Sequence, residues 1–145
     1  MIERTLDHVG IAVTSLDESL PVWTALVGGE PYDRERIASQ GAEIVFVGHG
    51  PGRIELVAPT AGDSPVARFL ARRGPGLHHL CYRVPDIRAA LRHFAAEGYA
   101  LVDAEPRVSA RDHLIAFIHP RSVGGVLIEL LEHPAAHEPS PTVTP

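Results

Sequence analysis

Laid over itself, the chain repeats once. His8-Val-Gly-Ile-Ala-Val13 matches His79-Leu-Cys-Tyr-Arg-Val84, and Ile54-Glu55-Leu56 matches Ile128-Glu129-Leu130. The spacing from His to Glu is nearly the same in both copies. A repeat of this kind means two copies of one supersecondary unit, each of which buries its apolar side only beside the other. That constraint governs the rest of the sequence.

Each copy opens on a strand-like run that is followed by a helix start. Ser15 and Glu18 stand at capping-box spacing after the first run, and Pro85-Asp86 puts an N-cap residue after the second. Leu16, Leu20, Trp23 and Val27 then mark one apolar helical face, and Ile87, Leu91 and Phe94 mark the other. Gly28 and Gly98 close these patterns. Pro21 falls inside the first and should make its opening turns irregular. Further strands are expected near 31–37 and 42–47 in the first copy, and near 99–102 and 113–118 in the second, with glycines and prolines between them. Ser64 and Pro65 start a short linking helix over 64–73 with Val66, Phe69 and Leu70 on its apolar face. These elements describe one domain over 1–133. Module one covers about 5–59 and module two about 76–132. The tail, 134–145, is proline-rich and is expected to be disordered.

Strand side chains alternate between faces. His8 therefore lies with Gly10 and Ala12, and Val9, Ile11 and Val13 lie opposite, under the helices. Glu55 projects away from Ile54 and Leu56, and Glu129 away from Ile128 and Leu130. A lone strand glutamate usually lies on the wet face of a sheet. Two at equivalent repeat positions, each matched with a His, are better explained by a shared partner, because a carboxylate in an apolar strand is costly unless paired or metal-bound. If the halves pack about a pseudo-twofold axis, His8, Glu55, His79 and Glu129 converge. Two imidazoles and two carboxylates suit a divalent ion: Mn, Fe, Co, Ni or Zn.

Composition narrows the function. The net charge is −5 and the pI about 6.0, which argues against a nucleic-acid partner. No apolar run approaches a membrane span, and the charged opening lacks an export signal, so no membrane partner is expected. Cys81 is the single cysteine, which fits a reducing, cytoplasmic setting.

Several motifs resemble those of the methylmalonyl-CoA epimerase family within the vicinal oxygen chelate superfamily, which also holds glyoxalase I, extradiol dioxygenases and bleomycin-resistance proteins. They are Asp7-His-Val-Gly-Ile-Ala-Val13, Gly76-Leu-His-His-Leu80, His119-Pro-Arg-Ser122 and Gly124-Gly-Val-Leu-Ile-Glu-Leu130, joined by Asp63-Ser-Pro65 and Glu105-Pro106-Arg107. The resemblance runs from about Leu6 to Glu132. It implies an α+β fold of two pseudo-symmetric βαβββ modules in a cupped mixed sheet. It implies that His8, Glu55, His79 and Glu129 hold the metal; Glu at position 55 is also the glyoxalase pattern, where some epimerases have Gln. His78 alternates away from His79 and reads as a supporting or structural residue.

The implied reaction inverts the α-carbon of methylmalonyl-CoA, or of a similar 2-substituted malonyl thioester, through a metal-stabilised enolate. Glu129 is then both ligand and base. The resemblance also implies a homodimer and an acyl-CoA-type substrate. Two features depart from the family. A second glutamate base belongs three residues after the Gly of a Gln-Gly pair, but Gln40-Gly41 is followed by Glu43 only two residues on. Glu43 is thus either the second base, brought into register by a bulge, or a solvent-facing strand carboxylate. The family's glycine-rich loop is replaced by Ser109-Ala-Arg-Asp-His113. There Arg111 or His113 either meets a carboxylate or CoA phosphate, or simply solvates the loop. The alternative functions are a glyoxalase-like isomerase or lyase acting on another substrate, and a non-catalytic binding module.

Overall fold

The computed structural model describes residues 2–109 and 111–134. The expectation for the tail therefore lies, beyond Pro134, outside the described residues.

The elements run β1 (Thr5–Ala12), α1 (Leu16–Val27), β2 (Tyr32–Ile37), β3 (Ala42–Val47), β4 (Arg53–Pro59), α2 (Pro65–Arg73), β5 (Gly76–Arg83), α3 (Ile87–Ala96), β6 (Arg107–Val108), β7 (Leu114–Ile118) and β8 (Leu127–Glu132). All eight strands form one sheet in the order β2-β3-β4-β1-β5-β8-β7-β6. That order is symmetric about the β1–β5 seam. In each half the His-bearing strand runs parallel to the Ile-Glu-Leu strand, β1 to β4 and β5 to β8, while the two halves meet antiparallel. The fold is the α+β pair of βαβββ modules, a curled mixed sheet.

Local chemistry sets the helices. Ser15 accepts from the Glu18 N–H, Ser64 from Ala67 and Asp86 from Ala89. Each satisfies one of the unpaired donors at a helix start. α1 and α3 pack on the outer face of the sheet. Leu16, Leu20 and Trp23 meet Val13, Val45, Leu56 and Ala58, while Ile87, Ala90 and Leu91 meet Ala116, Ile118 and Leu130. α2 covers part of the inner face instead, with Val66, Phe69 and Leu70 against Ala12, Ile44 and Val57. Among the described residues no helix is long and apolar enough to cross a membrane.

Two expectations are corrected. α1 is continuous through Pro21 rather than irregular. A proline there removes only the bond to the Asp17 carbonyl, which lies in an exposed turn, and packing of the Leu16 face holds the helix. The strand expected near 99–102 is not formed. Leu101 makes one isolated bridge to Ile118, and the edge strand is β6, Arg107–Val108. Asp103 is the reason: its carboxylate accepts the Phe117 N–H at 2.9 Å, so a side chain takes the bond that a strand neighbour would have made.

Candidate metal centre

The register brings the repeated residues to one place. Gly10 of β1 pairs with Glu55 of β4 on one side and His79 of β5 on the other, and Cys81 pairs with Glu129 of β8. Directly paired residues share a face, so His8, Glu55, His79 and Glu129 all point into the concave side. Their tips converge. The two Nε2 atoms lie 3.2 Å apart. From His8 Nε2, Glu55 is 3.6 Å away and Glu129 3.4 Å; from His79 Nε2, the same carboxylates are at 3.5 and 3.7 Å. His8 and His79 are 2% and 5% exposed.

Gly10 makes this possible. A Cβ built on it would overlap the His79 ring, which fills the space beside the glycine. Gly10 thus leaves room for the partner histidine, while Ala12 packs beneath α2.

Each imidazole is oriented by the residue before it. His8 Nδ1 donates to Asp7 Oδ2 at 2.7 Å, and Asp7 in turn takes a bond from Arg53 at 3.0 Å. His79 Nδ1 lies 2.9 Å from His78 Nδ1. With Nδ1 engaged, both Nε2 atoms turn toward the centre, which is the arrangement that second contacts impose on metal-binding histidines. Asp7 and His78 are equivalent positions of the repeat. They differ in residue type, so the repeat did not mark Asp7.

The charges at the centre oppose one another. Arg53 pairs with Asp7, and among the described residues Glu55 and Glu129 make their ion-pair contacts with the two imidazoles. Burial works to raise the Asp7 pKa, but the bonds from His8 and Arg53 outweigh it and hold the carboxyl well below the usual range. Burial also works to lower the His8 pKa, yet the bonds to Asp7 and Glu129 and the two glutamate charges push it up to about 10. His79 is pushed down to about 3, chiefly by burial, and so stays neutral with a free lone pair. Burial raises the Glu55 pKa. It works the same way on Glu129, but the His8 and His79 contacts reverse it and keep that carboxylate ionised. In effect the His8 proton sits where four donors point. A divalent ion would neutralise the two carboxylates and replace it, so the donor set fits the group that the repeat implies.

Phe46 forms the adjoining wall. It pairs with Glu55 across β3–β4 and meets the His8 ring edge-on, and the Arg53 guanidinium lies 4.2 Å from its centroid. Beside Asp7 a cleft of about 280 Å³ opens between Tyr32, Arg53 and Arg83.

Glu43 does not join the site. β3 runs from Ala42 to Val47 in unbroken register with β4, and the strand has no bulge there. Ile44 and Phe46 therefore face the pocket and Glu43 faces away, 3.9 Å from Arg34. A carboxylate that does lie on the pocket face is Glu35, directly opposite Ile44 on β2. Nothing in the repeat marked it.

Comparison with known proteins adds to this geometry. The sequence model of the Glyoxalase/Bleomycin resistance protein/Dioxygenase superfamily matches residues 7–117. The mitochondrial methylmalonyl-CoA epimerase of Dictyostelium discoideum is 35% identical over 128 residues, 88% of this chain and 77% of that protein. The crystal structure of methylmalonyl-CoA epimerase from Mycobacterium tuberculosis superposes with a TM-score of 0.82 at 38% identity, over 90% of this chain and 88% of that one. A methylmalonyl-CoA epimerase solved with methylmalonyl-CoA and NH4+ superposes with a TM-score of 0.82 at 30% identity, over 93% and 97% of the two chains.

Proposed function

Since the chain belongs to the glyoxalase/bleomycin-resistance/dioxygenase superfamily and to its methylmalonyl-CoA epimerase family, we propose that it is a metal-dependent epimerase of methylmalonyl-CoA or a similar 2-substituted malonyl thioester. The observation that carries this reading is the convergence of His8, Glu55, His79 and Glu129 on one buried point, with an ionised Glu129 among them.

A proton flanked by a thioester and a carboxylate is only mildly acidic, so its removal needs a base and a way to hold the charge that develops. A divalent ion held by the two imidazoles and two carboxylates supplies that positive charge. Glu129 would take the proton, a role supported by its lowered pKa and its position at the same centre. Cys81, buried on the same rung as Glu129, fills the space behind that carboxylate. Glu43 faces away from the four groups, which supports a second proton donor other than Glu43.

A two-substrate assay tests the proposal. Metal-loaded protein should interconvert the stereoisomers of methylmalonyl-CoA and leave a glutathione hemithioacetal untouched. Turnover of the hemithioacetal alone would favour the glyoxalase-like alternative, and failure on both with metal bound would favour a binding module.

A further inference from the structure

The two ends of the sheet are stitched together by one side chain. β2 and β6 are the edge strands of the eight. From the turn between β6 and β7, Arg111 Nε donates to Glu35 Oε2 of β2 at 3.1 Å; its other nitrogens reach Asp33 Oδ2 at 3.2 Å and the Asp33 carbonyl at 3.0 Å. The curl of the sheet thus carries its last strands back to its first, and the guanidinium spans the gap. It does so over the pocket. Glu35 shares the face of Ile44, and the Arg111 guanidinium carbon lies 5.4 Å from the centroid of Phe46, whose strand partner is Glu55.

Both anchors are locally unusual. Asp33 and Asp112 are the non-glycine residues with positive φ among the described residues, at 54° and 60°. β2 shifts register between Tyr32 and Glu35, which brings the Asp33 carbonyl and carboxylate to the same guanidinium. Holding such backbone costs free energy that surrounding contacts must offset. The ion pairs themselves are half exposed, with Asp33 at 52% and Arg111 at 30%, so each is weak and exchangeable.

We propose that Arg111 is the residue that reads the substrate's carboxylate. With no substrate it is held at the mouth by Asp33 and Glu35, and an incoming carboxylate displaces them and takes the fork. A guanidinium that already grips carboxylates in this position has the geometry to accept another. This rests on the malonyl-thioester reading above and names the group that selects for it.

Equilibrium binding to the metal-loaded full chain tests the idea, with malonyl-CoA and propionyl-CoA as probes. They share carrier and thioester and differ in the carboxylate. Arg111→Met should weaken malonyl-CoA about 10- to 100-fold and propionyl-CoA less than about twofold, with Arg111→Lys between. Asp33→Asn with Glu35→Gln should tighten malonyl-CoA about two- to tenfold, because a competitor is removed. A merely structural strap gives the opposite sign, since the loop loses its anchor and both probes bind worse. Equal weakening of both probes by Arg111→Met, or an unchanged ratio, overturns the proposal. If the parent itself shows no preference for malonyl-CoA, the substrate reading falls and this inference falls with it; if only the variants keep the parent's preference, this inference alone falls.

Discussion

At Glu129 burial and bonding pull in opposite directions. Burial favours the neutral acid, and the His8 and His79 contacts favour the carboxylate and win. As a ligand alone, Glu129 could be replaced by glutamine with modest loss once metal is resupplied, because the amide oxygen keeps the reach. As ligand and base it could not. Glu129→Gln at saturating metal is expected to slow α-hydrogen exchange about 10²- to 10⁴-fold; exchange of both stereoisomers at the parent rate would remove it as the base. Asp7 offers a cleaner separation, since it touches His8 and not the centre. Asp7→Asn should weaken metal binding about 10- to 100-fold while the far-ultraviolet spectrum stays that of the parent. Unchanged affinity in a metal titration would deny Asp7 its orienting part. Of these residues, His8, Glu55, His79 and Glu129 were legible because they repeat. Asp7 and Gly10 were in view as letters, but their roles depend on which ring turns toward which backbone, and that is set by the β1–β5 register.

The elements were legible where a face repeats and illegible where a side chain stands in for the backbone. α1 and α3 follow from their apolar spacing and caps. The segment near 99–102 reads as a strand, yet Asp103 takes the Phe117 N–H and diverts it. Glu43 shows the opposite case. Simple alternation put it on the far face, and the unbroken register of β3 leaves it there. α2 is where the symmetry of the halves is broken, since it alone covers part of the pocket face, and its start depends on Ser64. That residue is 5% exposed and caps the Ala67 N–H at 3.2 Å. Ser64→Ala should lower unfolding free energy by about 1 kcal/mol, read from the urea midpoint. No change would mean that packing of Val66 and its neighbours, not the cap, fixes the helix.

At the scale of the molecule, the pseudo-twofold explains why one site draws on four strands. Neither half holds a complete donor set, so the centre exists only when the β1–β5 seam is closed. The clasp at Arg111 was not legible in this way. Its partners in β2 are far away in sequence, and only the curl of the sheet brings them together. The family resemblance implies a homodimer; light scattering is expected to give twice the chain mass, and a monomer at working concentration would refute it. Bound metal should also stabilise the chain by mass action, about 2.7 kcal/mol at a hundredfold excess over Kd, so chelation should lower the melting temperature.

In the proposed reaction the four converging side chains hold an ion that makes the α-proton of a malonyl thioester removable. Hydrogen washout from methylmalonyl-CoA in D₂O, followed by NMR, tests it directly on one preparation that is metal-loaded, stripped with chelator and reloaded. Loaded protein should wash out the α-hydrogen of either stereoisomer, stripped protein should be slower by about 10²-fold or more, and reloading should restore the rate. Washout no faster than in buffer with the metal bound, or equally fast after stripping, would rule out a metal-held enolate at this centre.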